Sequence, residues 1–261
     1  MLIAQITDFH VVAAGELLGG RLDTGAMLAA AVARLNALDP APDLVIATGD
    51  LVADGATDQY VHLRDCLAPL TSRLVLMAGN HDDHAALAAA FPDHAYLAGA
   101  AGGMNYVAEN GPPRILALDT VVPGEPGGHI SAPSLQWLDD RLAEHPDRPT
   151  IIAMHHPPLV TGLAYMDAMN CRNGDDLARV LSRHRQVERI LCGHLHRQVA
   201  QLWNGILVTT APATSFYVGL DLRPDAPLGL TEEPPAFLLH WWRPDHGLIS
   251  HTCYVEDFAG E

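Results

Sequence analysis

The sequence has few cysteines, few basic residues and no long apolar run, and each scarcity excludes a class of protein. Its four cysteines, at positions 66, 171, 192 and 253, stand far apart without a CxxC pair. A disulfide framework and a thiolate zinc site are therefore not indicated, and a reducing, cytoplasmic location is expected. No apolar stretch approaches the about 20 residues of a membrane span. The run 1–6 lacks a basic flank, so we expect a strand there and not a signal segment.

Basic residues number only 15 against 31 acidic ones, which gives a formal net charge of −16. A field of this sign repels polyphosphate backbones and anionic lipid surfaces. We therefore expect neither a nucleic-acid polymer nor a membrane as a partner, and an anionic substrate would need a local positive centre. Histidine is abundant by contrast, with 15 copies, several of them beside Asp, Asn or Gly at the ends of apolar runs.

Short apolar runs alternate with helical patterns over most of the chain, which predicts an α/β fold with much parallel sheet. Candidate buried strands lie at 2–6, 44–48, 74–78, 115–119, 151–154 and 189–192, and candidate helices at 24–38, 57–67, 84–91, 134–144 and 175–184. After residue 197 the pattern becomes strand-like, at 206–210, 237–242 and 248–255. We expect this tail to add sheet-edge strands and a cap or a contact between subunits.

Several predicted strands end in side chains of the kinds that bind metal ions. These side chains are Asp8, His10, Asp50, Asn80, His155, His194 and His196. Because ligands bind at the carboxyl ends of strands in α/β sheets, we expect them to converge. Two carboxylates, one amide oxygen and four imidazoles are too many for one tetrahedral ion and suit two ions that share a bridge. Oxygen and nitrogen donors without sulfur favour Fe, Mn, Zn or Co, as divalent or mixed-valence ions.

The motifs D-x-H, G-D, G-N-H-[DE], H and G-H-x-H occur complete and in this order between residues 1 and 197. In this respect the chain resembles the calcineurin-like metallophosphoesterases. Residues 154–158 (M-H-H-P-P), 166–167 (M-D) and 171–174 (C-R-N-G) look like bacterial glycerophosphodiesterases and class III cyclic-nucleotide phosphodiesterases. The resemblance implies two mixed β-sheets packed as a sandwich and flanked by helices in four αββα layers, with a small C-terminal cap. It also implies a catalytic domain over 1–197 and a cap or oligomerisation segment with closing strands over 198–261.

The resemblance also implies a role for each motif residue. One ion would be bound by Asp8, His10 and His196, and the other by Asn80, His155 and His194, with Asp50 as the bridge. A hydroxide held between the ions would be the nucleophile of a hydrolase that cleaves small phosphodiesters. His81, next to a ligand, would contact the phosphate or protonate the leaving group, which makes His81 and Asp50 the catalytic candidates.

Two segments depart from the patterns of related enzymes. Residues 49–55 (G-D-L-V-A-D-G) lack the arginine of the serine/threonine phosphatases, so a phosphoprotein substrate is not expected. Residues 214–217 (T-S-F-Y) stand where glycerophosphodiesterase relatives add a histidine to the pocket. Recognition of a glycerol head group is therefore an open question.

Some assignments stay open at the level of sequence. His156 either packs, orients a ligand or acts directly, while Asp82 and Asp83 are expected to cap the helix near residue 84. The alternatives to a general small-phosphodiester hydrolase are a dedicated 3′,5′-cyclic-nucleotide phosphodiesterase and a non-catalytic interaction scaffold with the same fold. We also expect a homo-oligomer built through the tail.

Overall fold

The computed structural model describes residues 1–109 and 111–256, in which thirteen strands and six α-helices occur. The strands are β1 (Leu2–Ile6), β2 (Leu44–Thr48), β3 (Leu74–Met77), β4 (Tyr106–Ala108), β5 (Arg114–Ala117), β6 (Thr150–Ala153), β7 (Val187–Cys192), β8 (Val199–Trp203), β9 (Ile206–Thr210), β10 (Tyr217–Val218), β11 (Leu230–Thr231), β12 (Ala236–Arg243) and β13 (Gly247–Tyr254). The helices are α1 (Thr24–Asn36), α2 (Thr57–Leu67), α3 (His84–Ala90), α4 (Ala132–Ala143), α5 (Ala164–Asp167) and α6 (Gly174–Leu181). Within these described ranges no helix is both long and apolar enough to cross a membrane.

Two large mixed sheets form the centre of the molecule. In the first, with order β13-β12-β1-β2-β3, β1 to β3 are parallel and the two hairpin strands at one side are antiparallel. The second has order β4-β5-β6-β7-β9-β8, with a parallel centre between antiparallel edges. This architecture confirms the predicted pair of mixed sheets and corrects the single, largely parallel sheet that the alternation of elements had suggested.

Successive side chains of a strand point to opposite faces of the sheet, so the second sheet contributes to two apolar cores, one on each face. Ile115 and Ala117 pack in the same cluster as the first sheet, whereas Leu116 lies with helices α4 and α6 on the other face. Helices α1 and α2 cover the outer face of the first sheet through side chains such as Leu28 and Leu63. The layers are therefore helices, sheet, sheet and helices, with one core between the sheets.

Strands after residue 197 close both sheets. β13 is an edge strand, as expected, and β8, which the sequence pattern did not predict, is another. β9 and β12 lie inside their sheets, so the expectation of edge strands alone was wrong. β10 and β11 pair with each other as a small separate ribbon. The division of the chain at residue 197 into a catalytic domain and a cap segment stays a prediction.

A buried polar chain joins the two sheets near the strand ends. Gln5, on β1, donates from its side-chain nitrogen to the Thr48 hydroxyl at 3.1 Å and to the Cys192 carbonyl, in the other sheet, at 2.9 Å. The side-chain oxygen Oε1 of Gln5 lies 3.1 Å from Nε2 of His240, whose Nδ1 lies 2.7 Å from the Ser250 hydroxyl. Burial, reinforced by the charge of Arg189, lowers the pKa of His240 to about 3.

We expect His240 to make the fold sensitive to acid. An unfolded histidine titrates near 6.5, so below that pH the unfolded chain binds a proton that native His240 refuses. The contribution of His240 to the free energy of unfolding is fully present above pH 6.5 and decreases as the pH falls toward 3. At pH 4.5 the decrease is about 2–3 kcal/mol. Denaturant unfolding at pH 7 and 4.5 should therefore show a smaller pH dependence for His240→Gln than for the unsubstituted protein. His251→Gln, an exposed position on the neighbouring strand, is the matched control, and equal pH dependence in all three proteins would contradict this role.

Candidate metal centre

The seven predicted ligands lie in the loops that follow the carboxyl ends of five strands, in both sheets. Asp8 follows β1, Asp50 follows β2 and Asn80 follows β3, while His155 and His194 follow β6 and β7 of the other sheet. These strand ends meet at one edge of the sandwich, where three ligand-bearing loops come from one sheet and two from the other. The tertiary fold thus gathers side chains that are up to about 190 residues apart in sequence, as expected for a site at the strand ends.

Backbone conformation marks these loops as unusual. Five predicted ligands have positive φ: Asp8 at 55°, His10 at 48°, Asp50 at 52°, His194 at 71° and His196 at 52°. Only two other non-glycine residues of the described chain share this property. Such strained conformations persist where surrounding structure enforces them, and they cluster at functional sites.

Glycine is required at two of the turns because the ligands crowd them. A Cβ on Gly79 would lie 2.3 Å from the Asp50 carboxylate, and one on Gly49 would lie 2.4 Å from the His155 ring. Gly49 also has φ of +100°. A side chain at either position would collide with a ligand, so the close approach of these loops requires glycine.

The first group of candidate ligands is Asp8, His10, Asp50 and His196, whose ligand atoms lie within 4.8 Å of one another. The Nε2 atoms of His10 and His196 are 3.1 Å apart. Each also faces a carboxylate at 3.6 Å, that of Asp50 for His10 and that of Asp8 for His196. Burial lowers the pKa of His10 well below its usual value, which keeps the imidazole neutral and its lone pair available.

The second group is His155, His156 and His194, whose ring nitrogens lie within 4.8 Å of one another. Two of these buried nitrogens, Nε2 of His155 and Nε2 of His194, have no hydrogen-bond partner within the described chain. Nδ1 of His155 donates to the Thr48 carbonyl at 2.7 Å, which leaves Nε2 facing Oδ1 of Asp50 at 3.4 Å. A buried polar atom without a partner costs about 1–3 kcal/mol. A cation at this position would satisfy both nitrogens.

Asp50 lies between the two groups, because its Oδ2 faces His10 and its Oδ1 faces His155. Burial acts to raise the pKa of Asp50, but the facing histidines outweigh it and hold that pKa well below the usual range. The same pairing overcomes the effect of burial on His155 and raises its pKa to about 9. The surroundings of His155 therefore favour positive charge, which a metal ion held by these residues would supply.

Taken together, the donor set fits two metal ions. It consists of carboxylate and amide oxygens and imidazole nitrogens without sulfur, and Asp50 can contact both groups at once. Asn80 lies half-buried at the same cleft, with Oδ1 3.1 Å from Nε2 of His156. The assignment of each residue to one ion stays a prediction.

His156, whose role is open at the level of sequence, has a defined place beside Asn80. Its Nε2 lies near two oxygens, Oδ1 of Asn80 at 3.1 Å and the Pro126 carbonyl at 3.2 Å, so this nitrogen carries the proton. Nδ1 then accepts from the Thr120 hydroxyl at 2.8 Å. Burial lowers the pKa of His156 to about 3, so the ring is neutral. The chain Thr120–His156–Asn80 therefore orients the Asn80 amide oxygen.

We expect His156→Ala to weaken metal binding by about 10–100-fold, as loss of a partner that orients a ligand typically does. His156→Gln should recover part of this affinity, because its amide nitrogen can donate to Asn80 in the same way. Titration of the metal-free protein with Mn²⁺ or Zn²⁺, followed by calorimetry, measures the change. Unaltered affinity in His156→Ala would show that Asn80 needs no such support.

Asp82 differs from its predicted role as a helix cap. The cap of α3 is Asp83, which accepts from the Ala86 amide, whereas Asp82 is buried. Its carboxylate accepts from the amides of Gly79 at 2.8 Å and Leu51 at 3.1 Å and from the Tyr60 hydroxyl at 3.0 Å. It therefore ties together the loops that carry Asp50 and Asn80. Because Asp82 and Asp83 are adjacent and of the same residue type, the sequence does not show which of them caps the helix, and the tertiary structure does.

His81 is exposed at the cleft and lines it. Nδ1 donates to the Ala53 carbonyl at 2.6 Å, which leaves Nε2 free of that contact. The backbone amide of the same residue donates to Oδ1 of Asp50 at 3.0 Å. This arrangement keeps the imidazole beside the candidate ligands without using it as one.

A cavity of about 500 Å³ opens above the ligands, and its upper wall is apolar. Phe216 packs on the rings of His10 and His196, with centroids 5.3 and 4.5 Å away, and its carbonyl accepts from Nδ1 of His196 at 2.8 Å. Phe216 is not among the site residues predicted from the sequence, which left open whether the aromatic residues of the tail wall a pocket or pack in a core or subunit interface. The structure places Phe216 in the wall of this cavity. Among the residues that line this cavity there is no Lys or Arg.

Similarity to known proteins agrees with this geometry. The profile of the calcineurin-like phosphoesterase family matches residues 1–198, and the chain belongs to that family. It is 35% identical over 261 residues to the probable glycerophosphodiester phosphodiesterase GpdQ of Arcobacter nitrofigilis, covering 100% of this chain and 95% of the relative. It is 34% identical over 215 residues to the 3′,5′-cyclic adenosine monophosphate phosphodiesterase CpdA of Escherichia coli, covering 81% and 75% of the two chains.

Solved structures share the fold at low sequence identity. A dimetal phosphatase from Danio rerio aligns with TM-score 0.69 and 16% identity over 98% of this chain and 99% of its own. At this identity the likeness concerns the fold alone, and it agrees with the two-sheet architecture that the resemblance implied.

Proposed function

We propose that this protein is a metal-dependent phosphodiesterase that hydrolyses small phosphodiesters. The observation that carries the proposal is the pair of ligand groups joined by Asp50, with unpartnered imidazole nitrogens buried beneath an open cleft. Two metal ions held by these residues would supply Lewis acidity at phosphorus and would lower the pKa of a bound water molecule. The metals stay limited to Fe, Mn, Zn or Co by donor type, and iron or manganese has no further support.

The chain's own residues orient the substrate and exclude alternatives. His81 lies at the cleft with Nε2 available to a phosphoryl oxygen or to the departing oxygen. Phe216 and neighbouring apolar side chains line one side of the cleft. Asp82 fixes the two loops that present Asp50 and Asn80, so their oxygens stay aligned when substrate arrives.

We expect diesters to be preferred over monoesters. A diester carries one negative charge and a monoester carries two, while the cavity lining has no cationic side chain to compensate the second charge. The net charge of −16 adds a further penalty. Metal-reconstituted protein should therefore have a larger kcat/KM for methyl 4-nitrophenyl phosphate than for 4-nitrophenyl phosphate. The reverse order would contradict the proposal.

A dedicated 3′,5′-cyclic-nucleotide phosphodiesterase is the second candidate function, supported by the similarity to CpdA of Escherichia coli. Parallel assays with 3′,5′-cyclic AMP and glycerophosphodiesters separate the two. A non-catalytic scaffold would not need the complete set of metal-ligand side chains. Purified protein that holds no stoichiometric metal and has no turnover would favour that alternative.

Partners and location are also part of the proposal. The four cysteines are free thiols, as a reducing cytoplasm would keep them, and cell fractionation tests this. Exposed leucines in the tail, among them Leu220 and Leu222 at 65% and 61%, favour a homo-oligomer, which sedimentation measures. We propose no nucleic-acid polymer and no membrane as a partner, because of the acidic charge.

A further inference from the structure

The cleft above the candidate ligands is polar at its floor and becomes apolar farther from the ligands. At its floor are imidazoles and carboxylates, and its outer wall is formed by Leu18, Phe216, Leu228 and Leu230 with Met166 and Met169. Leu228 and Leu230 are 40% and 62% exposed. Apolar side chains held open to water beside a reactive centre are typical of a binding site for an apolar group.

The apolar wall continues beyond the reactive centre. A second cavity, of about 490 Å³, shares Leu18, Gly19, Phe216 and Leu230 with the first. Its one cation, Arg21, has an ion pair at 2.6 Å with Glu232, which lines the same cavity. A long substrate group can therefore extend from the phosphoryl position along Leu230 without meeting an uncompensated charge.

Polar recognition, by contrast, has little support in the outer part of the cleft. Apart from the floor and His81, the polar side chain lining the first cavity is Tyr165, which is 47% exposed. Leu18, Phe216 and Leu230 also line the second cavity, where the polar side chains are Thr231 and the ion pair of Arg21 with Glu232. Hydroxyl groups placed against the three apolar side chains themselves would exchange water for an apolar surface, which is unfavourable.

We propose that the preferred substrates are phosphodiesters whose retained ester group is an uncharged alkyl or aryl group, bound along Leu18, Phe216, Leu228 and Leu230. This inference rests on the proposed phosphodiesterase function and names its substrate class. The phosphoryl group lies over the floor of the cleft, and the apolar group lies along the wall toward the second cavity.

The test uses one leaving group and varies the retained group. Methyl, propyl, hexyl and glyceryl 4-nitrophenyl phosphates release the same 4-nitrophenolate, and propyl and glyceryl differ only in two hydroxyls. For metal-reconstituted protein we expect kcat/KM to be about tenfold higher for propyl than for glyceryl, because the wall rejects hydroxyls. We also expect about tenfold more for hexyl than for propyl, because partial burial of three methylenes contributes that much.

Matched variants assign the preference to the wall. Two ratios of kcat/KM measure the preference: propyl over glyceryl, and hexyl over propyl. Leu230→Asn, nearly isosteric and at an exposed position, should reduce both ratios about threefold to fivefold, and Leu228→Asn should also reduce them. Leu202→Asn is the control, since Leu202 is 71% exposed on β8 and lines neither cavity. Its ratios should equal those of the unsubstituted protein.

The outcomes separate this inference from the function beneath it. No turnover of any diester by metal-loaded protein would overturn the phosphodiesterase function and the inference with it. Turnover with glyceryl equal to or above propyl would overturn the inference alone. If Leu230→Asn leaves the ratios unchanged and instead lowers the oligomeric mass in sedimentation, the leucine covers a subunit contact and the proposal is wrong.

Discussion

Replacement of Asp50 by Asn should abolish metal retention and, with it, nearly all activity. The carboxylate faces both ligand groups and offsets positive charge at each, whereas the carboxamide has one neutral oxygen. Loss of a residue that only orients a ligand costs about 10–100-fold in metal affinity, so loss of the shared carboxylate should exceed a hundredfold. Metal content after dialysis, measured by mass spectrometry, is the direct measurement.

Asp83→Asn is the control for that experiment. Asp83 caps α3 and asparagine caps helices equally well, so metal content and stability should stay unchanged. Asp82 is unsuitable as a control, because its carboxylate accepts hydrogen bonds from both ligand loops. Equal metal retention in Asp50→Asn and Asp83→Asn would contradict the assignment of Asp50 as the ligand shared by the two ions.

The second large effect concerns His81 and depends on the leaving group. If this imidazole donates a proton to the departing oxygen, its loss costs about 10²–10⁴-fold, and only where that oxygen is strongly basic. An aryl oxide with a pKa near neutrality departs largely unaided, whereas an alkoxide such as glycerol or a ribose 3′-oxygen does not. His81→Ala should therefore reduce kcat for a cyclic nucleotide or an alkyl diester far more than for an activated aryl diester.

Metal content of His81→Ala should stay nearly unchanged, because the bond to Asp50 comes from the backbone amide, which alanine keeps. His246→Ala, at an exposed position in the turn between β12 and β13, is the matched control. A uniform fall across leaving groups would instead make His81 an electrostatic contact to the phosphoryl oxygens. Loss of metal would mean that His81 supports the ligand set itself.

Much of the secondary structure followed from periodicity. The strands that were predicted correctly, such as β1 (LIAQI), β2 (LVIAT) and β9 (ILVTT), are short runs of mostly apolar and β-branched residues. β8 (VAQLW) was missed although four of its five residues are apolar. Three of the five are exposed in the structure, so this edge strand does not follow the rule that apolar runs form buried strands. β4, of three residues, is too short to show any period.

The order of strands in the sheets depended on contacts that no local pattern encodes. β12 pairs with β1 across about 235 residues, and β9 inserts between β7 and β8. The family resemblance supplied the pair of sheets, whereas alternation alone favoured a single sheet. Local propensity specifies elements, and long-range packing selects their neighbours.

The sequence by itself determined the chemistry of the site. Seven side chains of ligand type follow apolar runs at fixed motif spacings, and glycines precede the turns where backbone must approach closely. Because parallel strands end at one edge of a sheet, convergence of these motifs could be expected from their order along the chain. All seven lie at that edge of the folded molecule.

Only the tertiary structure decided how the site is supported and what surrounds it. Sequence neighbours Asp82 and Asp83 have the same residue type, yet one is a buried acceptor between loops and the other caps a helix. His156 became an orienting residue only because Thr120 and Asn80 flank it in space. The apolar wall joins Leu18 to Leu230 from opposite ends of the chain. Such roles depend on distance, burial and hydrogen-bond geometry, which arise from packing between segments that are remote in sequence.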